Sequence, residues 1–286
     1  MSATLLEKAP AKINLTLRVL GRRADGYHEI ESLVAFADFG DVLTLRTDAA
    51  EGLEITGPFG GKSGPIGENL VLKAVAAGRE RVAGLRGGYF MLEKNIPVAA
   101  GLGGGSADAA AALRLVARVN ALALDDPRLM SAARATGADV PVCLHLRARI
   151  MRGIGERLSA PIDLTILSAL LVNPLVPLAT RDVFGKFAGR RGADNHADAV
   201  PKEFSDLIDF LEHHDNDLTD AACACAPVIG EILEILGALP GARLVRMSGS
   251  GPTCFALFAT PSEAITAAQK LEAERPDWWV QPAAIG

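Results

Sequence analysis

The segment that most limits what this chain can become is Pro97-Val-Ala-Ala-Gly-Leu-Gly-Gly-Gly-Ser-Ala107, with four glycines in five consecutive positions, running into an alanine-rich stretch. Gly101, Gly103, Gly104 and Gly105 cost backbone entropy on ordering, so such a run suits a loop where main-chain N–H groups converge without Cβ interference. It stands between the apolar strand GYFMLEKNI and a helix predicted from about Ser106 to Ala121. A helix N-terminus there adds a field that favours an anion. The dinucleotide fingerprint is excluded by spacing, because Ser106 occupies the third glycine place counted from Gly101 and no acidic residue ends a following strand. Gly57 to Ser63, GPFGGKS, ends like a P-loop but lacks its glycine spacing, and Gly64-Pro65 follow where a helix has to begin. That segment reads as an exposed turn. Met247 to Pro252, MSGSGP, is a second small-residue turn between apolar strands and, paired with the first loop, could close over phosphates.

Around the loop the periodicity predicts a mixed architecture. Leu5 to about Thr56 reads as a β meander, with KINLTLRVL, YHEIESLVAF and DVLTLRT separated by turns at GRRADG and FGD. Asn69 can cap a helix of about Leu70 to Val82, DDPRLMSAARATG supplies a short helix stopped by Gly137, and RARIMRGIGERL reads as a hairpin. The second half opens with the strand LTILSALLVNP and continues through four helical segments, the strands RLVRM and TCFALFA, a helix from about Ser262 to Glu274, and a last strand near WWVQP. Strands and helices mix without strict βαβ alternation, so the predicted class is α+β. One boundary is expected between residues 160 and 175, giving a nucleotide-binding lobe over 1–160 and a substrate lobe over 161–286. The polar patch GRRGADNHADAV reads as an exposed loop.

Composition narrows the function classes. Lys and Arg number 29 against 34 Asp and Glu, a net charge of −5, which lacks the basic footprint of a nucleic-acid binder. Four scattered cysteines in 286 residues make no disulfide framework, and the C-x-C pair Cys223 and Cys225 has no companion pair at zinc spacing. No apolar run suits a signal peptide or a membrane span, so a cytoplasmic protein without membrane partners is expected.

The sequence PVAAGLGGGSADAA resembles the signature of the GHMP kinase superfamily. The segments APAKINLTLRVLGRRADGYHEIES, GADVPVCL, NDLTDAA and SGSGPTCFALF resemble one branch of it, in the right order over nearly the whole chain. The resemblance implies a two-lobed fold with mixed and antiparallel sheets and a central cleft. It implies use of ATP with Mg2+ and phosphorylation of the 2-hydroxyl of 4-diphosphocytidyl-2-C-methyl-D-erythritol, a step of the non-mevalonate route to isoprenoid precursors. Its partner is then a small molecule carrying a cytidine diphosphate, and the chain is expected as a monomer or weak homodimer. Two other functions remain as alternatives: another small-alcohol kinase of the superfamily, such as a homoserine-type enzyme, and a non-catalytic nucleotide-binding regulator.

Carried over residue by residue, the resemblance places Lys12 and Asp139 as the catalytic pair. It assigns Asn69, Lys94, Asn95, Pro97, Gly101, Gly103, Gly104, Gly105, Ser106 and Ala107 to the nucleotide. Asn14 would lie beside the acceptor with Asp139, Tyr27 and His28 in the cytidine pocket, Phe184 stacking on the other face of the base, and Gly249 and Gly251 at the substrate. No protein ligand of magnesium can be named. Two departures stand out: Ala107 where a second Ser is common, and Pro252-Thr253 where Ala is common. On the residues alone, Asp139 before Val140-Pro141 reads equally as a helix cap, Lys12 reads better as an edge-strand lysine, and Ser106 can simply cap its helix. The resemblance reverses the first two readings.

Overall fold

The computed structural model describes residues 4–188 and 200–286. In chain order its elements are β1 (Thr4–Asn14), β2 (Arg18–Arg22), β3 (His28–Arg46), β4 (Gly52–Thr56), α1 (Leu70–Arg81), β5 (Tyr89–Glu93), α2 (Gly104–Val119), α3 (Pro127–Thr136), α4 (Val140–His145), β6 (Arg149–Gly153) and β7 (Arg157–Leu158). There follow β8 (Leu167–Asn173), α5 (Thr180–Lys186), α6 (Phe204–Glu212), α7 (Thr219–Cys225), α8 (Val228–Gly237), β9 (Leu244–Met247), β10 (Cys254–Phe258), α9 (Pro261–Glu274) and β11 (Trp279–Ile285). The loop expected at GRRGADNHADAV lies, but for Val200, outside the described residues.

The chain gathers into two compact units that interleave along the sequence. One comprises residues 1–12, 39–98 and 103–146, the other 13–38, 99–102 and 147–286. A single cut near residue 160 does not reproduce this partition, because β1 and β3 each give one end to either unit.

In the first unit β4 runs parallel to β5, and β5 pairs antiparallel with the second half of β3. Beside them α1 packs on α2 and α3, and α2 packs on α4. Helix α2 is buried from Ala107 to Ala117, and the small side chains of ADAAAAL let its neighbours approach from several sides. Its one buried guanidinium, Arg114, donates to Glu7 Oε1, the Lys8 carbonyl and the Cys143 carbonyl at 2.9, 2.6 and 2.7 Å, so the charge is paired as burial requires. Asn69 caps α1 as expected, its Oδ1 accepting from Val71 N at 2.9 Å.

In the second unit β8 is central, antiparallel to both β10 and β11, and β9 extends β10. Helices α8 and α9 pack on these strands around Leu170, Val172, Ile229, Ile232, Leu236, Phe258 and Leu271. Strands β2 and β6 flank the first half of β3, which also meets β11 at Ala37 and Ile285. Parallel β4–β5 pairing among antiparallel strands, with helices grouped rather than alternating, is the α+β class the sequence predicts.

Two local expectations fail for physical reasons, and the helix signal at Val140-Pro141 holds. FGD is no turn: β3 continues through Gly40, where a Cβ would collide with the Ala9 carbonyl and lie 2.5 Å from Pro10 Cα, so this glycine permits close strand approach. Helix α2 begins at Gly104, two residues early, because Gly103 in the left-handed region at φ 63° ends the loop. The short helix α4 follows Asp139, where Val140-Pro141 signalled a possible helix start.

Candidate active site

Strand β1 brings Lys12 to Asp139 within the first unit. Lys12 Nζ donates to Asp139 Oδ2 at 2.7 Å, with side-chain exposures of 6% and 33%. This decides both ambiguous readings. A lysine that discourages edge pairing keeps its head in water, and Lys12 is buried. Asp139 occupies the N-cap position of α4, but its side chain accepts no capping hydrogen bond. The pair holds one ammonium against one carboxylate whose other oxygen remains available to a reacting group.

Gly103 lets this lysine through. A Cβ there would lie 3.2 Å from Lys12 Cβ and Cε, so the stem passes against the residue that opens α2. Behind Gly103 the first turn of α2 carries Gly104, Gly105, Ser106 and Ala107. The first N–H groups of a helix lack intrahelical partners and suit an anion. The Ala107 N–H is already taken by the Gly103 carbonyl at 2.9 Å. Ser106 does not cap the helix, because Gly103 holds that position. Ala107 is fully buried, which accounts for a methyl in place of a hydroxyl.

Of the other residues assigned to the nucleotide, Pro97 is buried and Asn95 is half-buried. Lys94 is committed elsewhere: its ammonium donates to Asp108 Oδ2 at 2.7 Å and to Asp41 Oδ2, and the side chain is 5% exposed. Burial alone would lower its pKa, but Asp108 and Asp41 outweigh that and hold it above the ordinary lysine value. The discarded GPFGGKS segment forms a 3-10 turn over Gly60–Lys62, and no α-helix begins there.

The two glycine turns meet inside the second unit. A Cβ on Gly101, at φ 75°, would collide with the Ser248 carbonyl and stand 2.8 Å from the Gly251 carbonyl. Ser248 Oγ accepts from the Asn14 N–H at 3.1 Å and donates to the Gly101 carbonyl at 3.0 Å. Asn216 Nδ2 donates to the Met247 and Gly249 carbonyls at 2.7 and 2.8 Å. Gly101 therefore packs against main-chain atoms, whereas Gly103, Gly104 and Gly105 would bring a Cβ to side chains at 3.2 to 3.3 Å. Asn14 Nδ2 donates to Ser32 Oγ at 2.7 Å, while Asn14 Oδ1 is buried without a partner beside Gly249, whose Cβ would lie 3.2 Å away. Thr253, the second departure, is also accounted for, its hydroxyl accepting from Asn173 Nδ2 at 2.8 Å.

The β2–β3 hairpin brings His28 against Phe184 and leaves Tyr27 outside that stack. His28 stacks on Phe184, ring centroids 4.9 Å apart at 27°, and meets Phe187 edge-on at 6.4 Å. Tyr27 is 62% exposed, its N–H donating to Asp25 Oδ1 at 3.1 Å. Burial, followed by the charge of Arg22, lowers the His28 pKa, so near neutral pH the imidazole is uncharged and offers one donor and one acceptor.

Sequence reasoning did not single out Ser32, Asn216 or Ser248 as organisers, or the Asp41–Lys94–Asp108 cluster. The signals lay inside quoted motifs, Ser248 in SGSGP and Asn216 in NDLTDAA, but their partners are distant in sequence. Among the described residues no group of three His, Cys, Asp or Glu could hold a metal ion, and no helix is long and apolar enough to cross a membrane.

Comparison with known proteins places these features. The family profile "GHMP kinases N terminal domain" matches residues 69–146, and "GHMP kinases C terminal" matches residues 192–277. The 4-diphosphocytidyl-2-C-methyl-D-erythritol kinase of Xanthobacter autotrophicus is 54% identical over 283 residues, 96% of this chain and 97% of the relative. That of Rhodopseudomonas palustris strain BisB5 is 52% identical over 98% of this chain and 99% of its own. Among solved structures, a 4-(cytidine 5'-diphospho)-2C-methyl-D-erythritol kinase matches with TM-score 0.78 and 35% identity over 99% of both chains. A homoserine kinase from Cytophaga hutchinsonii matches with TM-score 0.71 but 20% identity, over 99% of this chain and 94% of its own, a likeness of fold.

Proposed function

Because this chain belongs to the GHMP kinases, and within them to the 4-diphosphocytidyl-2-C-methyl-D-erythritol kinases, we propose that it transfers the γ-phosphoryl group of ATP to the 2-hydroxyl of 4-diphosphocytidyl-2-C-methyl-D-erythritol. The products are the 2-phosphate and ADP. The observation that carries the chemistry is the Lys12–Asp139 pair. Phosphoryl transfer asks a protein for positioning, charge neutralisation and one group to accept the proton of the attacking hydroxyl. Asp139 takes that proton as the new O–P bond forms and the bond to the ADP oxygen breaks. Lys12 orients the carboxylate and offsets charge gathering on the transferred group.

Asn14 follows Lys12 by two residues on β1, and its unpaired Oδ1 supports a role as acceptor for a substrate hydroxyl. The open N–H groups at the start of α2 support phosphate binding by Gly103, Gly104, Gly105 and Ser106. Asn69, Asn95 and Pro97 remain assigned to the nucleotide by the resemblance. Mg2+ would arrive bound to ATP, with the phosphates and water as most of its ligands. Bound there, it would neutralise phosphate charge.

Neutral His28 and the Phe184 ring support recognition of the cytosine edge and face. Phe184→Ala removes the ring that orients His28 and offers a stacking surface. A stacked base contributes about 1–3 kcal/mol, so the KM for the cytidyl substrate should rise about 10–100-fold with kcat nearly unchanged. Steady-state kinetics at saturating ATP read this directly, and an unchanged KM would remove Phe184 from the pocket.

The function itself is tested by ADP release from ATP and Mg2+ with the cytidyl-linked erythritol, beside a panel of small alcohols that includes homoserine. Turnover should require the cytidine moiety. Equal turnover of homoserine would favour the broader kinase, and nucleotide binding without transfer to any alcohol would favour a regulator.

A further inference from the structure

We propose that Asp41, Lys94 and Asp108 form a buried charge clamp that positions the phosphate loop for ATP, with Asp108 as its adjustable member. This inference rests on the ATP-dependent reading above, and it assigns the three residues positioning roles.

The clamp joins the two flanks of the glycine run. Lys94 directly follows β5, on the entry side, and Asp108 is the fifth residue of α2, on the exit side. The Lys94 ammonium bonds Asp108 Oδ2 at 2.7 Å and also bonds Asp41 Oδ2. Asp41 Oδ1 accepts the N–H groups of Asn95 and Ile96 at 2.5 and 2.8 Å, fixing the backbone that enters the loop. A Cβ on Gly104 would lie 3.5 Å from Lys94 Nζ and 3.3 Å from Ile96 Cγ2, so the cluster sits against the first residue of α2.

Charge counting sets the second half of the argument. Two carboxylates and one ammonium leave an excess negative charge among side chains that are 5% exposed or less. Such a charge is costly to bury and repels phosphate brought to the start of α2. Asp108 Oδ1 is buried with no hydrogen-bond partner, so charge on this carboxylate is offset only through Oδ2, by a Lys94 ammonium that it shares with Asp41. Burial pushes the Asp108 carboxyl up to about 8, against the opposing pull of Lys94 and assisted by the charge of Asp41. Protonated, the clamp is neutral; ionised, it repels nucleotide. From α4 the facing titratable group is Cys143, whose thiol burial pushes up to about 12, so it stays neutral. Lys12 and Asp139 bond each other and remain outside the cluster.

The test uses the full chain and ATP saturation curves between pH 7 and about 9.5, with circular dichroism and thermal melts as fold controls. Asp108→Asn mimics the protonated acid and still accepts from Lys94. One charge at roughly 10 Å through an effective dielectric of about 20 corresponds to about a tenfold change. Wild-type KM for ATP should therefore rise about tenfold as pH passes through 8, while the KM of Asp108→Asn stays flat. Asp108→Ala cuts the tie and should raise KM for ATP about tenfold at pH 7, with kcat within about threefold. A folded Asp108→Ala with wild-type KM would overturn the clamp, as would an Asp108→Asn profile that rises like wild type. Should Asp108→Ala not fold, the Asp108→Asn profile decides. Failure of wild-type turnover is a separate result that strikes the kinase reading.

Discussion

Asp139→Asn is expected to lower kcat about 10²–10⁴-fold, the range general-base catalysis contributes, with KM for both substrates within a few-fold. Asparagine keeps the size of the side chain and presents an oxygen to Lys12 Nζ, so the 2.7 Å contact can survive as a neutral hydrogen bond. What it cannot do is take a proton from the attacking hydroxyl. Because the side chain is one-third exposed and caps nothing in α4, the substitution leaves folding almost untouched, which separates chemistry from stability. Lys12→Met should also lower kcat strongly, but it keeps the buried stem while stripping Asp139 of its ammonium partner, so its effect mixes lost charge neutralisation with an altered base. The measurement is ADP release with the cytidyl substrate at saturating ATP. A loss of less than tenfold in Asp139→Asn would leave Asp139 as an orienting group and send the search for the base elsewhere.

Legibility followed the range of the interactions. Helices α1, α3 and α9 were readable because their start signals are local: Asn69 accepts from Val71 N, Asp126 accepts from Arg128 N ahead of a proline at N1, and Thr260 and Glu263 close a capping box. Gly40 was misread because a glycine serving a close approach and a glycine serving a turn are the same letter, and only the position of Ala9 tells them apart. Lys12 and Asp139 stand 127 positions apart, and composition or periodicity could not have joined them; the resemblance did. The Asp41–Lys94–Asp108 cluster was missed for the same reason, since its bonded pairs stand 53 and 14 positions apart and the resemblance sent Lys94 to the nucleotide rather than to two aspartates. Phe184 was placed near the base by resemblance alone, and its stack on His28 was not legible because the two residues lie 156 positions apart.

Gly101→Ala is the substitution expected to cost most in stability. At φ 75° an L-residue loses about 1–2 kcal/mol to its own backbone. The added methyl then meets the Ser248 carbonyl at a distance no Cβ tolerates, with Gly251 O at 2.8 Å and Gly251 N at 3.0 Å. All three are main-chain atoms, so no side chain can rotate to make room, and overpacking of this kind adds about 1–3 kcal/mol. Relief requires the two turns to separate, which stretches the Ser248 Oγ bond to the Gly101 carbonyl and the bond from Asn14 N–H that shares the same hydroxyl. Asn14 would shift with it, so turnover should fall along with stability. At about 2–4 °C per kcal/mol for a chain of this size, the melting temperature should drop by roughly 5–15 °C. Gly26→Ala supplies the control: φ is 90°, yet nothing lies within 4 Å of its Cβ, so it carries backbone strain without collision. Its melting temperature should fall only by a few degrees, an effect on the order of 1 kcal/mol. If the two variants melt together, the packing of the glycine turns is not what requires glycine at 101, and the backbone conformation alone is.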